Sequence, residues 1–251
     1  MSQFAMITGA TSGIGKSTAH LLAKNGYNLI ITGRRSTKLE EIKSQLEEKF
    51  SVQVLCLSFD VSDRQQCESV FKEYEKELSK VNVLINNAGL ARGVESMDEA
   101  KIDDWEEMID TNVKGLLYVT RLALPHLKNN QPAHIVNIGS VAGRWSYKGG
   151  GVYCSTKFAV RALTEGLRMD LNEHDIRVTN ISPGLVETEF SNVRLKDDDK
   201  AKAVYQGMEP LVGDDIAECI YWSLSRPKHV NIQEMVVYPT AQASVNHVHR
   251  V

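Results

Sequence analysis

The sequence predicts an α/β protein, and three observations carry that prediction. Seven short runs rich in β-branched and apolar residues recur along the 251-residue chain. Their hydrophobicity is near-continuous rather than alternating, as in parallel strands covered on both faces. Amphipathic stretches with helical periodicity separate them, which implies right-handed βαβ units. Together these describe a Rossmann-type, doubly wound fold: one seven-stranded parallel sheet in a single domain covering residues 1–251.

The predicted strands, in order, are "FAMITG", "NLIITG", "VQVLCLSFDV", "VNVLINNAG", "HIVNIGS", "RVTNISPG" and "VNIQEMVVYP". Between them lie surface helices of mixed charge with one apolar stripe, such as "KLEEIKSQLEEKF" and "RQQCESVFKEYEKEL". No repeat, low-complexity run or linker interrupts the alternation. One region breaks it: about residues 185–212, after "SPG", form a long excursion at the C-terminal end of a strand. Excursions of that length usually cover a functional site, and this one is expected to cover the substrate.

Composition narrows the function. A formal net charge of -3 with scattered lysines and arginines offers no basic field for nucleic acid. The four cysteines, Cys56, Cys67, Cys154 and Cys219, have no metal-like spacing and suit a reducing compartment. The tail pair His247 and His249 lacks further ligands, so no metal is expected. No window approaches the ~20 apolar residues of a membrane helix. The first apolar stretch, Phe4 to Ile7, is too short for a signal peptide, so the cytoplasm is the expected location.

"TGATSGIG" follows the first strand and opens the first helix. Glycines at 9, 13 and 15 let a backbone approach a pyrophosphate, and the helix N-terminus offers free N–H groups and a positive dipole end. The turn as a whole, Gly9, Thr11, Ser12, Gly13, Ile14 and Gly15, is the expected cofactor cradle. In folds that bind NAD, a carboxylate about 20 residues on holds the ribose 2′-hydroxyl. Here the second strand ends "ITGRR", and Arg34 and Arg35 suit the 2′-phosphate of NADP instead.

Tyr153 and Lys157 stand four residues apart after three consecutive glycines. On a helix they share a face. An ammonium about 4 Å away, at an effective dielectric of about 20, favours a phenolate by roughly 4 kcal/mol. That is about three pKa units, enough to bring a tyrosine into the working range of an acid/base catalyst.

These pieces, with "NNAG", "GS" and "YCSTK" in order, resemble the short-chain dehydrogenase/reductase family over essentially the whole chain. The resemblance implies that Tyr153 is the acid/base and that Lys157 lowers its pKa and reaches the nicotinamide ribose. It also implies that Ser140 binds the substrate oxygen and that Asn112 holds a water linked to Lys157. Asp60 and Val61 would flank the adenine, with Asn87, Ala88 and Gly89 along the cofactor. Pro183, Gly184, Val186 and Thr188 would contact its nicotinamide half. One departure stands out: NADP-binding members often carry a basic residue inside the glycine motif, where this chain has Ser12.

Further stretches, "NAGLARGVE", "DWEEMIDTNVKG", "PGLVETEFSNVR" and "QASVNHVHR", look like the 3-hydroxy acid dehydrogenases that also oxidise serine and L-allo-threonine with NADP. That group implies a small alcohol bearing a carboxylate, such as those two or 3-hydroxypropionate, and a homotetramer with the C-terminal tail packed on a neighbour. Arg194 or Arg144 would bind the substrate carboxylate. Two other readings stay open: a broader NADPH-dependent carbonyl reductase, and a non-catalytic dinucleotide sensor, which would tolerate loss of Ser140, Tyr153 or Lys157.

Overall fold

In a computed structural model that describes residues 3–251, all seven predicted strands enter one sheet. They are β1 (Phe4–Ile7), β2 (Asn28–Gly33), β3 (Val54–Ser58), β4 (Val83–Asn86), β5 (Ala133–Ile138) and β6 (Ile176–Pro183). Two short strands follow, β7 (Val186–Glu187) and β8 (Leu211–Val212), before the seventh sheet member, β9 (Glu234–Val237). The order is β3-β2-β1-β4-β5-β6-β9, parallel throughout. The reversal of winding between β1 and β4 opens a crevice at the strands' C-terminal ends, where such sheets bind ligands.

Neighbouring residues on each strand face opposite layers, which explains the continuous apolar runs. Ala5 and Ile7 of β1, with Leu29 and Ile31 of β2, pack against α1 (Gly13–Lys24) and α2 (Ser36–Lys49). Met6, Ile30 and Leu84 face the opposite layer, built from α3 (Arg64–Glu73), the short α4 (Glu75–Leu78) and others. Those others are α6 (Leu116–Asn129), which continues α5 (Ile102–Ile109) through a π-helical turn, and α7 (Gly151–Asp170). A buried polar ladder crosses this layer. Asn86 Nδ2 donates to Thr120 Oγ1 (2.9 Å) and Asn137 Oδ1 (2.8 Å), and Asn137 Nδ2 donates to Thr164 Oγ1 (2.9 Å). Such bonds hold β4 and β5 in one register against α6 and α7, because an unmade one would leave a buried amide unpaired.

The excursion after "SPG" is ordered. It contains β7, α8 (Phe190–Leu195), α9 (Asp198–Ala203) and β8, and leads into α10 (Gly213–Leu224) beside α1. The charged run within it has a structural use: Asp197 caps α9 by accepting from Asp199 N and Lys200 N. No group of three or more potential metal ligands gathers among the described residues. The C-terminal tail forms a hairpin of β10 (Gln242–Ser244) and β11 (His247–Val248). Gln242 Oε1 accepts from Leu185 N (2.8 Å), and Arg250 donates to Val204 O (3.0 Å), so the tail braces the excursion at its start and again in its second half. No helix among the described residues is long and apolar enough to cross a membrane.

Candidate active site

A cleft of about 590 Å³ runs along the C-terminal ends of the strands. At one end lies the glycine turn between β1 and α1. A Cβ at position 15 would collide with the Gly9 carbonyl oxygen, so only glycine lets the turn fold this tightly. Thr8 Oγ1 accepts from Asn87 N and Ala88 N (3.0 Å each), and Asn87 Nδ2 returns a bond to Gly9 O (3.0 Å). This welds the end of β4 to the turn. α1 has no side-chain cap and no acid in its first turn, so its free N–H groups and dipole remain available to an anion. The turn therefore fits a dinucleotide pyrophosphate.

At the end of β2, Arg34 and Arg35 both line the cleft. Arg34 Nη1 pairs with Asp60 Oδ2 at 3.3 Å. Burial would raise the Asp60 carboxyl, but hydrogen bonds from Ser62 and the Arg34 guanidinium outweigh it and hold the group below its ordinary range. Arg35 folds back on the glycine turn, donating to Thr11 Oγ1 (2.7 Å) and Ser12 Oγ (3.0 Å). A basic group thus stands where the glycine motif itself has only Ser12.

The catalytic candidates converge at the middle of the cleft. The π-helical turn Asp110–Gly115 carries Asn112, which pairs twice with the backbone of Leu90: Oδ1 accepts from Leu90 N and Nδ2 donates to Leu90 O, both 2.8 Å. The added residue of a π-turn is a frequent device at functional sites. Asn112 Nδ2 also donates to Thr156 Oγ1 (3.0 Å) on α7, next to Lys157. Protein atoms thus take its amide, and Oδ1 lies near the Lys157 side: a Cβ at Gly89 would stand 3.2 Å from Asn112 Oδ1 and 3.5 Å from Lys157 Nζ. Lys157 Nζ donates to Ile138 O (2.9 Å) at the end of β5. Ser140, just beyond, accepts from Ala142 N (3.0 Å), and its hydroxyl lowers the pKa of the neighbouring Tyr153 phenol. α7 enters the site through Gly150, where a Cβ would run into the Tyr147 ring.

Burial governs the electrostatics here. Burial pushes the Tyr153 phenol up, the Tyr147 hydroxyl pushes the same way, and the Ser140 bond and Arg194 offset them only in part. Lys157, buried as well, falls to about 8 because its charge is desolvated. Its ammonium points to the Ile138 carbonyl and lies 5.9 Å from the phenol ring centroid. Burial is the largest influence on the Tyr153 phenol and favours its neutral, proton-donating form.

The two candidate carboxylate binders separate. Arg144 faces away from the cleft and pairs with Glu234 through both Nε and Nη2. It belongs to a partly buried cluster in which Glu234 also accepts from Asn180 and Ser182, so its guanidinium is already paired. Arg194 lines the cleft, its guanidinium carbon 5.8 Å from the Tyr153 ring centroid. It is held by Nε to Gly93 O (2.9 Å) and Nη1 to the Tyr147 hydroxyl (2.9 Å). Pro183, Gly184, Val186 and Thr188 line the same wall. Tyr147, Phe190 (5.7 Å from the Tyr153 ring) and Gln242 line it too, and sequence reasoning missed all three. Tyr147 had a signal, since consecutive glycines beside an aromatic residue often mark a ring packed on bare backbone.

The sequence pattern described as short chain dehydrogenase matches residues 3–199. The chain is 47% identical to an NADP-dependent 3-hydroxy acid dehydrogenase of Schizosaccharomyces pombe, over 98% of this chain and 95% of that one. It is 42% identical to sulfoacetaldehyde reductase 2 of Chromohalobacter salexigens, over 97% and 96% respectively. Among solved structures, the closed form of a serine dehydrogenase complexed with NADP+ superposes with a TM-score of 0.92 at 42% identity, covering 99% of this chain and 100% of that one. The glycine turn, the arginine pair and the Ser140–Tyr153–Lys157 cluster thus sit in a chain that belongs to the short-chain dehydrogenase family and is an NADP-dependent oxidoreductase.

Proposed function

We propose that this enzyme transfers a hydride between NADP(H) and the alcohol or carbonyl carbon of a small 3-hydroxy acid, of the size of serine, L-allo-threonine or 3-hydroxypropionate. The observation that carries the reading is Arg194: a guanidinium inside the cleft, beside Tyr153, whose Nη2 donates to no protein atom among the described residues. A substrate carboxylate can take that group while its hydroxyl meets Ser140 and Tyr153. The named relatives with 3-hydroxy acid and serine activities support the same substrate class.

Bound NADP+ supplies the hydride acceptor, and the chain supplies everything else. Arg34 and Arg35 bind the 2′-phosphate, with Asp60 and Val61 beside the adenine. Asn87, Ala88 and Gly89 line the cofactor's path, and Lys157 holds the nicotinamide ribose. The Ser140 hydroxyl fixes the reacting oxygen against the phenol. Tyr153 donates its proton to the carbonyl oxygen in reduction, or takes one from the alcohol in oxidation. Asn112, tied to Leu90 and Thr156, keeps its Oδ1 on the Lys157 side, where it holds a water linked to Lys157.

We further propose a homotetramer in the cytoplasm. The exposed apolar side chains Leu117 on α6 and Phe158 and Met169 on α7 support association of copies. A second reading, a carbonyl reductase of broader range, draws support from the sulfoacetaldehyde reductase relative, because a guanidinium can also pair with the oxygens of a sulfonate. The sensor reading has no observation in its favour. A panel of 3-hydroxy acids, anionic aldehydes and neutral alcohols, assayed with NADP+ or NADPH, decides among these readings. Neutral alcohols outperforming the hydroxy acids would overturn the main one.

A further inference from the structure

Glu189, immediately before α8, sits at the root of the segment that covers the cleft. Its Oε2 accepts from Arg35 Nη1 at 2.7 Å, and its Oε1 accepts from Lys38 Nζ at 3.1 Å. Arg35 meanwhile spends its other donors on the glycine turn, with Nε and Nη2 on Thr11 Oγ1 (3.1 and 2.7 Å) and Nη2 on Ser12 Oγ (3.0 Å). With Glu189 in place, Arg35 keeps only one uncommitted N–H and cannot offer a parallel pair. Arg34 is different: its one side-chain hydrogen bond or ion pair among the described residues is the 3.3 Å pair with Asp60, and its side chain is 60% exposed. A 2′-phosphate therefore meets one open guanidinium and two cations already claimed by a carboxylate.

We propose that Glu189 tunes cofactor selectivity. Its carboxylate and the 2′-phosphate of NADP compete for Arg35 and Lys38, and Lys38, on the first turn of α2, is a phosphate ligand in its own right. The inference rests on the assignment of the 2′-phosphate to the end of β2. The physical reason is charge. A phosphate monoester carries about −1.5 to −2 at neutral pH, enough to draw both cations, whereas the 2′-hydroxyl of NAD carries none. Its pairs are solvent-exposed, with the Arg35, Lys38 and Glu189 side chains at 41%, 44% and 45%, so exchange of partners costs little. NAD leaves the carboxylate on its cations, and its affinity is indifferent to Glu189.

The test is direct titration of NADP+ and NAD+ into the purified full chain by calorimetry, with adenosine 2′-monophosphate as a probe free of nicotinamide. Glu189→Gln removes the charge and keeps the shape. It should tighten NADP+ and adenosine 2′-monophosphate about three- to tenfold, or about 0.7–1.4 kcal/mol, and leave NAD+ within about twofold. The gain should shrink at 0.5 M salt, where the Debye length falls to roughly 4 Å. Lys38→Gln should weaken NADP+ by a similar factor and spare NAD+. An unchanged or weaker NADP+ affinity in Glu189→Gln, or equal tightening of both cofactors, overturns the competition. Arg34→Ala combined with Arg35→Ala separates the two levels. If that pair leaves the NADP+ over NAD+ preference intact, the phosphate site itself is misplaced. If the pair erases the preference while Glu189→Gln has no effect, only the role of Glu189 fails.

Discussion

Replacing Arg194 with alanine tests the substrate assignment most directly. Two of its N–H groups are committed, Nε to Gly93 O and Nη1 to the Tyr147 hydroxyl. That leaves Nη2 and the second Nη1 hydrogen for a ligand, enough for a two-point contact with a carboxylate. Hydrogen bonds to charged groups are worth about 1.5–3 kcal/mol each, so a bidentate contact at the low end is worth about 3 kcal/mol. Loss of the fork should therefore lower kcat/KM for a 3-hydroxy acid by roughly 150-fold. The methyl ester of the same acid presents a neutral carbonyl worth about 1 kcal/mol, and should lose only about fivefold. Because Arg194 also braces Gly93 and Tyr147, some loss common to both substrates is expected, and the ratio between them is the informative quantity. The assay is steady-state NADP+ reduction with acid and ester, for the parent and Arg194→Ala. A ratio of kcat/KM values that shifts by less than about threefold would refute the carboxylate contact. Arg194 would then be only the strut that holds the covering segment to the Tyr147 turn.

Tyr153→Phe keeps the buried ring and its contact with Phe190 but removes the proton carrier. Turnover should fall by at least 100-fold while the NADP+ dissociation constant stays within about twofold, and retention of a tenth of the parent rate, about 1.4 kcal/mol, excludes Tyr153 as the acid/base. His134, buried in β5, donates from Nε2 to Thr179 Oγ1 at 2.8 Å, and burial with the nearby Arg177 charge lowers its pKa to about 3. A lowered pKa means that the unfolded chain binds the proton first, so this contribution to stability is whole above pH ~6.5 and is lost as pH falls toward ~3. Between pH 6 and 4 it should account for about 2.5 kcal/mol of lost stability, read as the difference in urea midpoints between the parent and His134→Gln. Parallel pH profiles for the two proteins would show that His134 is not responsible.

The amino-acid order alone carried the sheet and the two local motifs, for a common physical reason. Seven strands can be read because each is buried on both faces, so its apolar residues are consecutive and turn residues punctuate it. The glycine turn and the Tyr153–Lys157 pair are legible because their geometry spans a few residues of one element, where spacing is structure. The chain's order could not choose between Arg194 and Arg144. That choice depends on Glu234, which lies 90 positions from Arg144 and pairs with it behind the cleft, while the covering segment carries Arg194 in. The pairing of Glu189 with Arg35 spans 154 positions and likewise leaves no trace in local sequence. Spacing is also silent about the surroundings of the phenol. A helical i,i+4 pair sets the distance between two charges but not the medium around them, and the tertiary structure buries both. Desolvation then pushes the Tyr153 phenol up and draws Lys157 down to about 8.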